Sequence, residues 1–330
     1  MIIQDYWAAL PREKYKALLA PGALAGGERL CSALPGLMCS SHIFEAALHE
    51  KEAGGDYSIC VQKAHSTAFV EALSAPIMAA WRKKNTTWER IYQFARQWEA
   101  NSDFAAIKEI WLEFDCAELA QDIPAPCFFF DAEGMADDFD SMWDGPLAVL
   151  YDCTANKLTK ENLKKVVGAQ PQGALPYQLG IMFSRQAQGL RFFSGDLLVD
   201  QVGPFLQGAE FAYDEDLRRI DDFLAEIKSF IDGLYIVDFD VDEAGLSRKI
   251  GINFGLAGGV SLAQMAGYML EKNLILADKL AGIDDWCMGN DVPPLTNNIS
   301  HFKVPYQSEA LGIKVYLRNH MPPRRRVPRW

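Results

Sequence analysis

Ionisable residues recur at every second position in several short runs of this chain. In Ile236–Asp242 the carboxylates Asp238, Asp240 and Asp242 alternate with Val237, Phe239 and Val241. In Lys249–Phe254, Lys249 and Asn253 alternate with Ile250, Ile252 and Phe254. In His301–Tyr306, His301 and Lys303 lie opposite Phe302, Val304 and Tyr306. In Ile313–Arg318, Lys314, Tyr316 and Arg318 lie opposite Ile313, Val315 and Leu317. Glu113 and Asp115 likewise oppose Leu112 and Phe114. Successive side chains of a strand point to opposite faces, so each run has an apolar side and an ionisable side. If the ionisable sides meet, Lys249, Lys303, Lys314 and Arg318 form a basic cluster for an anionic ligand, with Tyr316 among them. Glu113, Asp115, Asp238 and Asp240 are then candidate general bases, because an enclosed carboxylate with a raised pKa takes up a proton. The set Asp238, Asp240 and Asp242 also suits a hard divalent ion such as Mg²⁺, though no metal site is specified by the spacing. The competing reading pairs each base with an acid on the next strand.

These runs need elements to position them. The first hundred residues read mainly as helix: Asp5–Leu19, Ile43–Lys51 and Thr86–Glu99 are amphipathic, Gly22–Gly27 is a flexible break, and Tyr57–Gln62 is a candidate strand. From about residue 105 the texture becomes strand pairs separated by helices. Ile107–Asp115 pairs with Cys127–Asp131, and Leu147–Cys153 is another strand. Leu179–Arg185 and Leu190–Ser194 form a hairpin through Gln186–Gly189, followed by Leu234–Asp242 with Lys249–Gly255 and by Phe302–Tyr306 with Ile313–Arg318. Helices are expected over Thr159–Val167, Asp214–Phe230 and Ser261–Lys279, the last capped by Ser261. The organisation is thus residues 1–104, mainly helical and part of the same shell, residues 105–320, the repeated helix and strand-pair region, and a Pro- and Arg-rich tail at 321–330. That tail is read as solvated, with a strap across an acidic face as the alternative.

Composition narrows the field. A net charge of −12 argues against a general nucleic-acid binder or an anionic-membrane binder. Seven scattered cysteines without CxxC spacing read as reduced thiols of a cytoplasmic protein. No run approaches the ~18 to 20 apolar residues of a membrane span. Motifs for a nucleotide loop or a hydrolase elbow are absent from the sequence, and His301 reads as a lone strand histidine.

The fold class is α+β, with repeated α-β-β-α units. Helices cover the apolar face of an antiparallel sheet; the polar face then looks into water or into a lumen. Closure into a barrel is favoured, because long open sheets curl or leave exposed edges. About ten strands leave a cavity that the side chains of an eight-stranded barrel fill.

This order resembles the αββα barrel of the aromatic prenyltransferases. Lys314-Val315-Tyr316-Leu317-Arg318 is similar to the Lys-x-Tyr strand of that group, and Ser247-Arg248-Lys249-Ile250 to a second basic strand start. The chain departs from the group in placing the Lys-x-Tyr strand last and in its carboxylate-rich lumen. The resemblance implies a transferase that alkylates an aromatic or peptide acceptor with a prenyl diphosphate. Lys249, Lys303, Lys314, Tyr316 and Arg318 would hold the diphosphate, whose charge grows as the carbon–oxygen bond breaks. Two other readings stay open: a tailoring enzyme that uses lumen carboxylates for proton transfer or hydrolysis, and a non-catalytic binding protein.

Overall fold

The computed structural model describes residues 2–10, 12–15, 18–19, 21–51, 55–151, 157–185, 189–287, 291–292, 295–307 and 310–320. Ten strands are named here in chain order. They are β1 (Ser41–Ala47), β2 (Gly55–Gln62), β3 (Glu109–Asp115), β4 (Cys127–Asp131) and β5 (Leu175–Ile181), then β6 (Leu190–Leu197), β7 (Ile231–Asp242), β8 (Gly245–Leu256), β9 (Leu295–Gln307) and β10 (Lys314–His320). Every neighbouring pair from β1 to β8 is antiparallel, β10 pairs with β1, and β9 pairs with both β10 and β8. The sheet therefore closes into a ten-stranded barrel, as the alternating runs lead one to expect.

Alternation decides which side chains face out. Val237, Phe239, Val241, Ile250, Ile252, Phe302, Val304, Val315 and Leu317 are all buried in one core between barrel and helices. Thr86–Ala100 covers β3 and β4: Phe94 packs edge-on against Phe128 at 4.9 Å, and Trp98 donates from Nε1 to the Ile107 carbonyl at 2.9 Å. Asn85 caps that helix by accepting from the Thr87 N–H. Asp214–Ile227 buries Ile220, Phe223, Leu224 and Ile227. Ser261 caps its helix as expected, and Gln264 completes a capping box with it. Among the described residues no helix is long and apolar enough to cross a membrane.

Several sequence expectations are corrected. Ile43–Lys51 is not helical: Ser41–Ala47 is β1, buried along its whole length and paired on both sides. Its residues suit either period, and pairing with β2 and β10 selects the strand. The barrel thus starts well before the change of texture near residue 105. Gly22–Gly27 is not a break but part of the helix Pro21–Ala33. A Cβ at Gly26 would lie 2.1 Å from the Leu119 carbonyl oxygen, and one at Gly27 would lie 2.3 Å from the Trp7 ring, so these glycines serve close packing. Asp5–Leu19 is split into Ile3–Ala9 and a 3-10 turn at Arg12–Tyr15, because Leu10 is extended ahead of Pro11. The strand expected at Leu147–Cys153 is not formed over 147–151: Trp143–Leu147 and Ala148–Leu150 are helical, a five-residue apolar run carries no decisive period, and residues 152–153 lie outside the described residues. Ser261–Lys279 is two helices, Leu262–Glu271 and Ala277–Cys287, separated near Asn273 at φ 57°. Gln186–Ala187–Gln188 of the expected hairpin turn and the tail at 321–330 lie outside the described residues.

Phe239 is fully buried against Phe192 and Phe205. Phe239→Ala is expected to cost about 3–5 kcal/mol, measured by urea denaturation. A loss below ~1 kcal/mol would show that the outer core does not hold the barrel.

Candidate functional site

The barrel encloses a cavity of about 730 Å³, within the range of small-molecule sites. It is densely charged toward one end. There Lys303 and Lys314 occupy directly paired positions on β9 and β10, and Lys249 approaches from β8. Lys314 and the Tyr316 hydroxyl both donate to Glu45 on β1. Lys303 Nζ donates to Asp238 at 2.8–2.9 Å. Asp238 also accepts from Arg191 Nη1 at 3.1 Å and from Asn253 Nδ2 at 2.8 Å. Arg191 clasps Asp240 with Nε at 2.5 Å and Nη2 at 2.9 Å. Arg185, just beyond β5, reaches Asp115, Asp56 and Glu113 at 2.5, 3.0 and 3.3 Å.

Gly251 permits part of this network. A Cβ there would lie 2.2 Å from Asp238 Oδ2 and 2.4 Å from Lys303 Cε, so the pair lies flat across β8. The Lys249 ammonium makes no hydrogen bond or ion pair with any described residue, the residue's only side-chain partner being Ser247 Oγ, which donates to its carbonyl at 3.1 Å.

Burial and neighbours divide the carboxylates into two kinds. Desolvation would raise Asp238, yet the Lys303 and Arg191 charges bring its pKa down to about 2. Glu45 follows the same course: burial raises it, while Lys314 and Lys303 and the hydrogen bonds from Lys314 and Tyr316 lower it to about 2. Asp115 is lowered by the Arg185 hydrogen bond and charge against its burial. Asp56 and Glu113 go the other way. Burial raises both, and the nearby Glu45 charge raises them further against the pull of Arg185. Lys249 is lowered by desolvation and by the surrounding Arg191, Lys314, Lys303 and Arg185 charges. Burial and Lys303 also bring His301 down to about 4, so its ring is neutral near pH 7 where it stacks on Tyr316 at 4.0 Å.

An aromatic wall completes the lumen. Trp111, Phe129 and Phe193 come from β3, β4 and β6. Phe129 and Phe193 meet edge to face at 5.7 Å, and Lys303 Nζ lies 5.9 Å from the Phe193 ring.

Of the residues singled out in the sequence, Glu113, Lys249, Lys303, Lys314, Tyr316 and Arg318 line the cavity. Asp115, Asp238 and Asp240 stand behind it, each held by an arginine. The basic cluster is divided. Arg318 lies four residues beyond Lys314, roughly 13 Å along the strand, and donates to Ser41 Oγ nearer the other end. The competing reading, each base paired with an acid on the next strand, holds for Lys314 with Glu45, whereas Lys303 reaches Asp238 two strands away across Gly251. His301 lies within β9 rather than at its head. The carboxylates suited to Mg²⁺ do not fit one: Asp238 and Asp240 are taken up by Arg191 and Lys303, and Asp242 accepts from the Ala244 N–H in the turn. Among the described residues no three His, Cys, Asp or Glu are arranged to hold a metal.

Glu45, Asp56, Arg185 and Arg191 were missed. Glu45 was hidden by the helical reading of β1. Arg191 had a signal, since Arg191 and Phe193 alternate with Leu190 and Phe192. Arg185 had none, because it acts from a 3-10 turn.

A closed ten-stranded antiparallel barrel with a polar lumen, ringed by helices, is the fold of the aromatic prenyltransferases, and the solved structures show the same architecture. The 6-dimethylallyltryptophan synthase from Micromonospora olivasterospora, in complex with DMASPP and Trp, superposes with a TM-score of 0.55 at 14% identity over 96% of this chain and 97% of that one. The prenyltransferase PriB in its apo form gives 0.61 at 11% identity over 98% and 99%. AnaPT from Neosartorya fischeri gives 0.54 at 12% over 97% and 94%. No family model and no curated protein matches the sequence.

The two kinds of carboxylate predict opposite pH behaviour. Asp238 is depressed in the folded state, so its stabilisation is present above its unfolded pKa and is lost as pH falls through about 2. Asp56 is raised, so its ionisation opposes folding as pH rises. Asp238→Asn should lower Tm at pH 7 and flatten the acid limb of stability, whereas Asp56→Asn should leave Tm unchanged or raise it. Circular-dichroism melts across pH 2–7 check this, and equal destabilisation by both variants would contradict the assignment.

Proposed function

We propose that this protein transfers a prenyl group from its diphosphate to an aromatic acceptor inside the barrel. One observation carries the reading: the Lys303 ammonium and the Phe193 ring stand side by side in the lumen, where the cationic and aromatic walls meet. Lys249, Lys303 and Lys314 would hold the diphosphate, with Tyr316 donating to it, while Arg318 stays at the other end of the lumen on Ser41. The likeness to a structure that contains DMASPP and Trp supports the same reading.

The electron balance is simple. The allylic carbon–oxygen bond breaks and its electron pair leaves with the diphosphate, whose growing charge the lysines stabilise. Ring faces are attractive to a cation, so Trp111, Phe129 and Phe193 suit the allyl cation that is left. The acceptor ring supplies the electrons of the new bond and then loses its proton. Glu113 or Asp56 would take that proton, because these carboxylates are the ones whose surroundings favour the protonated form. Asp115, Asp238 and Asp240 would act differently from Glu113, by fixing Arg185, Arg191 and Lys303.

A diphosphate entering this site exchanges partners. Lys303 must share itself with Asp238, and Lys314 with Glu45. Lys249 has no such competitor and is crowded by like charge, so an anion relieves it. Loss of one charge-assisted hydrogen bond costs about 1.5–3 kcal/mol, or roughly 10- to 100-fold in affinity. Lys249→Ala should weaken dimethylallyl diphosphate by that factor in calorimetric titration, with the melting temperature retained. Glu113→Gln should lower kcat at least tenfold while changing diphosphate affinity little. Unchanged affinity in Lys249→Ala would remove the diphosphate assignment, and full turnover in Glu113→Gln would remove the proton acceptor.

A further inference from the structure

The charged end of the lumen holds the buried Glu45, Asp238 and Lys303, while the opposite end carries a rim that is unusually apolar. Among the described residues eight large hydrophobic side chains are exposed, and four of them stand on this rim: Leu175 (40%), Tyr177 (38%), Leu198 (47%) and Leu234 (46%). Strand pairing brings them together. Leu175 opposes Gly195, and Leu197 opposes Tyr235, so the start of β5, the end of β6 and the start of β7 share one edge of the mouth. Register shifts at Ser194/Leu197 and Ile231/Tyr235 mark irregularities in both β6 and β7 at this edge, a device that re-aims side chains beside functional sites.

Two features say what the rim would hold. The patch is continuous with the cavity, since Tyr177 and Leu234 line both, whereas Leu175 and Leu198 lie outside the lumen. A free aromatic amino acid held within the lumen would not touch those two leucines. The same edge carries Asp196 and Asp232, both exposed and with no cation paired to them among the described residues. An apolar surface edged by carboxylates complements a chain with apolar and basic side chains.

We infer that the rim binds the residues flanking an aromatic side chain in a peptide acceptor, one that carries apolar and basic neighbours. The inference rests on the proposed prenyl transfer and names its acceptor class. The aromatic ring enters the lumen toward Trp111, Phe129 and Phe193. Its apolar neighbours lie on Leu175, Tyr177, Leu198 and Leu234, and a basic neighbour meets Asp196 or Asp232.

The test uses the full chain and a fluorescein-labelled hexapeptide with a central tryptophan flanked by leucines and arginines. Its binding is followed by fluorescence anisotropy, independently of turnover. Saturable binding is expected, weakened at least tenfold in Leu175→Ser/Leu198→Ser and in Asp196→Asn/Asp232→Asn. Prenylation of free L-tryptophan should be unchanged in the leucine pair. The aspartate pair, on exposed side chains, keeps the test open should the leucine pair fail to fold. Absence of saturable binding, or equal binding by wild type and both pairs, overturns the inference. So does a wild-type dimer that dissociates in the leucine pair, which assigns the surface to a second copy. A tenfold gain in peptide affinity after removal of residues 321–330 assigns it to the chain's own tail and also overturns it. If dimethylallyl diphosphate neither binds nor reacts while the peptide binds through the rim, the transfer reading fails and the rim assignment stands.

Discussion

Closure of the sheet is the constraint on which the rest of the molecule depends. β9 pairs with β8 on one side and β10 on the other, and β10 pairs with β1. Once the ring is complete, the two-residue period of each strand becomes an inside and an outside. Outward apolar residues need cover, which the helices supply. Inward residues need no cover, and ten strands leave more room than their side chains fill. The site is therefore a consequence of closure and cannot be assigned to any single strand pair.

Charge is what makes this interior unusual. Ions taken from water are costly unless they are paired and hydrogen-bonded. Here the cost is met by shared partners: Asp238 serves Lys303, Arg191 and Asn253, while Arg185 serves three carboxylates. Such a network is ordered before any ligand arrives, which suits a site whose task is to stabilise charge that develops during a reaction. It also leaves an asymmetry. Arg185 holds Asp115 low but does not fully compensate Asp56 and Glu113, whose pKa values stay raised, while the Lys249 ammonium has no acid paired with it among the described residues.

Much of this was legible in the residues. Alternation identified the outer core and the inner face of β7 to β10, and it placed Glu113, Lys249, Lys303, Lys314, Tyr316 and Arg318 on the lumen side. Two kinds of information were missing. Strand order was one: Lys314 with Glu45, and Lys303 with Asp238 across Gly251, join residues far apart in the chain. Local ambiguity was the other. Ser41–Ala47 fits a helix as well as a strand until its neighbours are known, and Gly26 and Gly27 look like a hinge until Leu119 and Trp7 are seen against them. The split of the basic cluster also needed geometry, since Lys314 and Arg318 share a face but not a depth.

The most direct test of the account is phosphorus NMR of dimethylallyl diphosphate with the intact protein, before and after adding an aromatic acceptor, with the acceptor's mass read in parallel. The account predicts acceptor-dependent release of inorganic diphosphate together with an acceptor heavier by one prenyl unit. Diphosphate signals that stay those of the free compound at saturating protein, with the acceptor unchanged across aromatic amino acids and peptides, would contradict it.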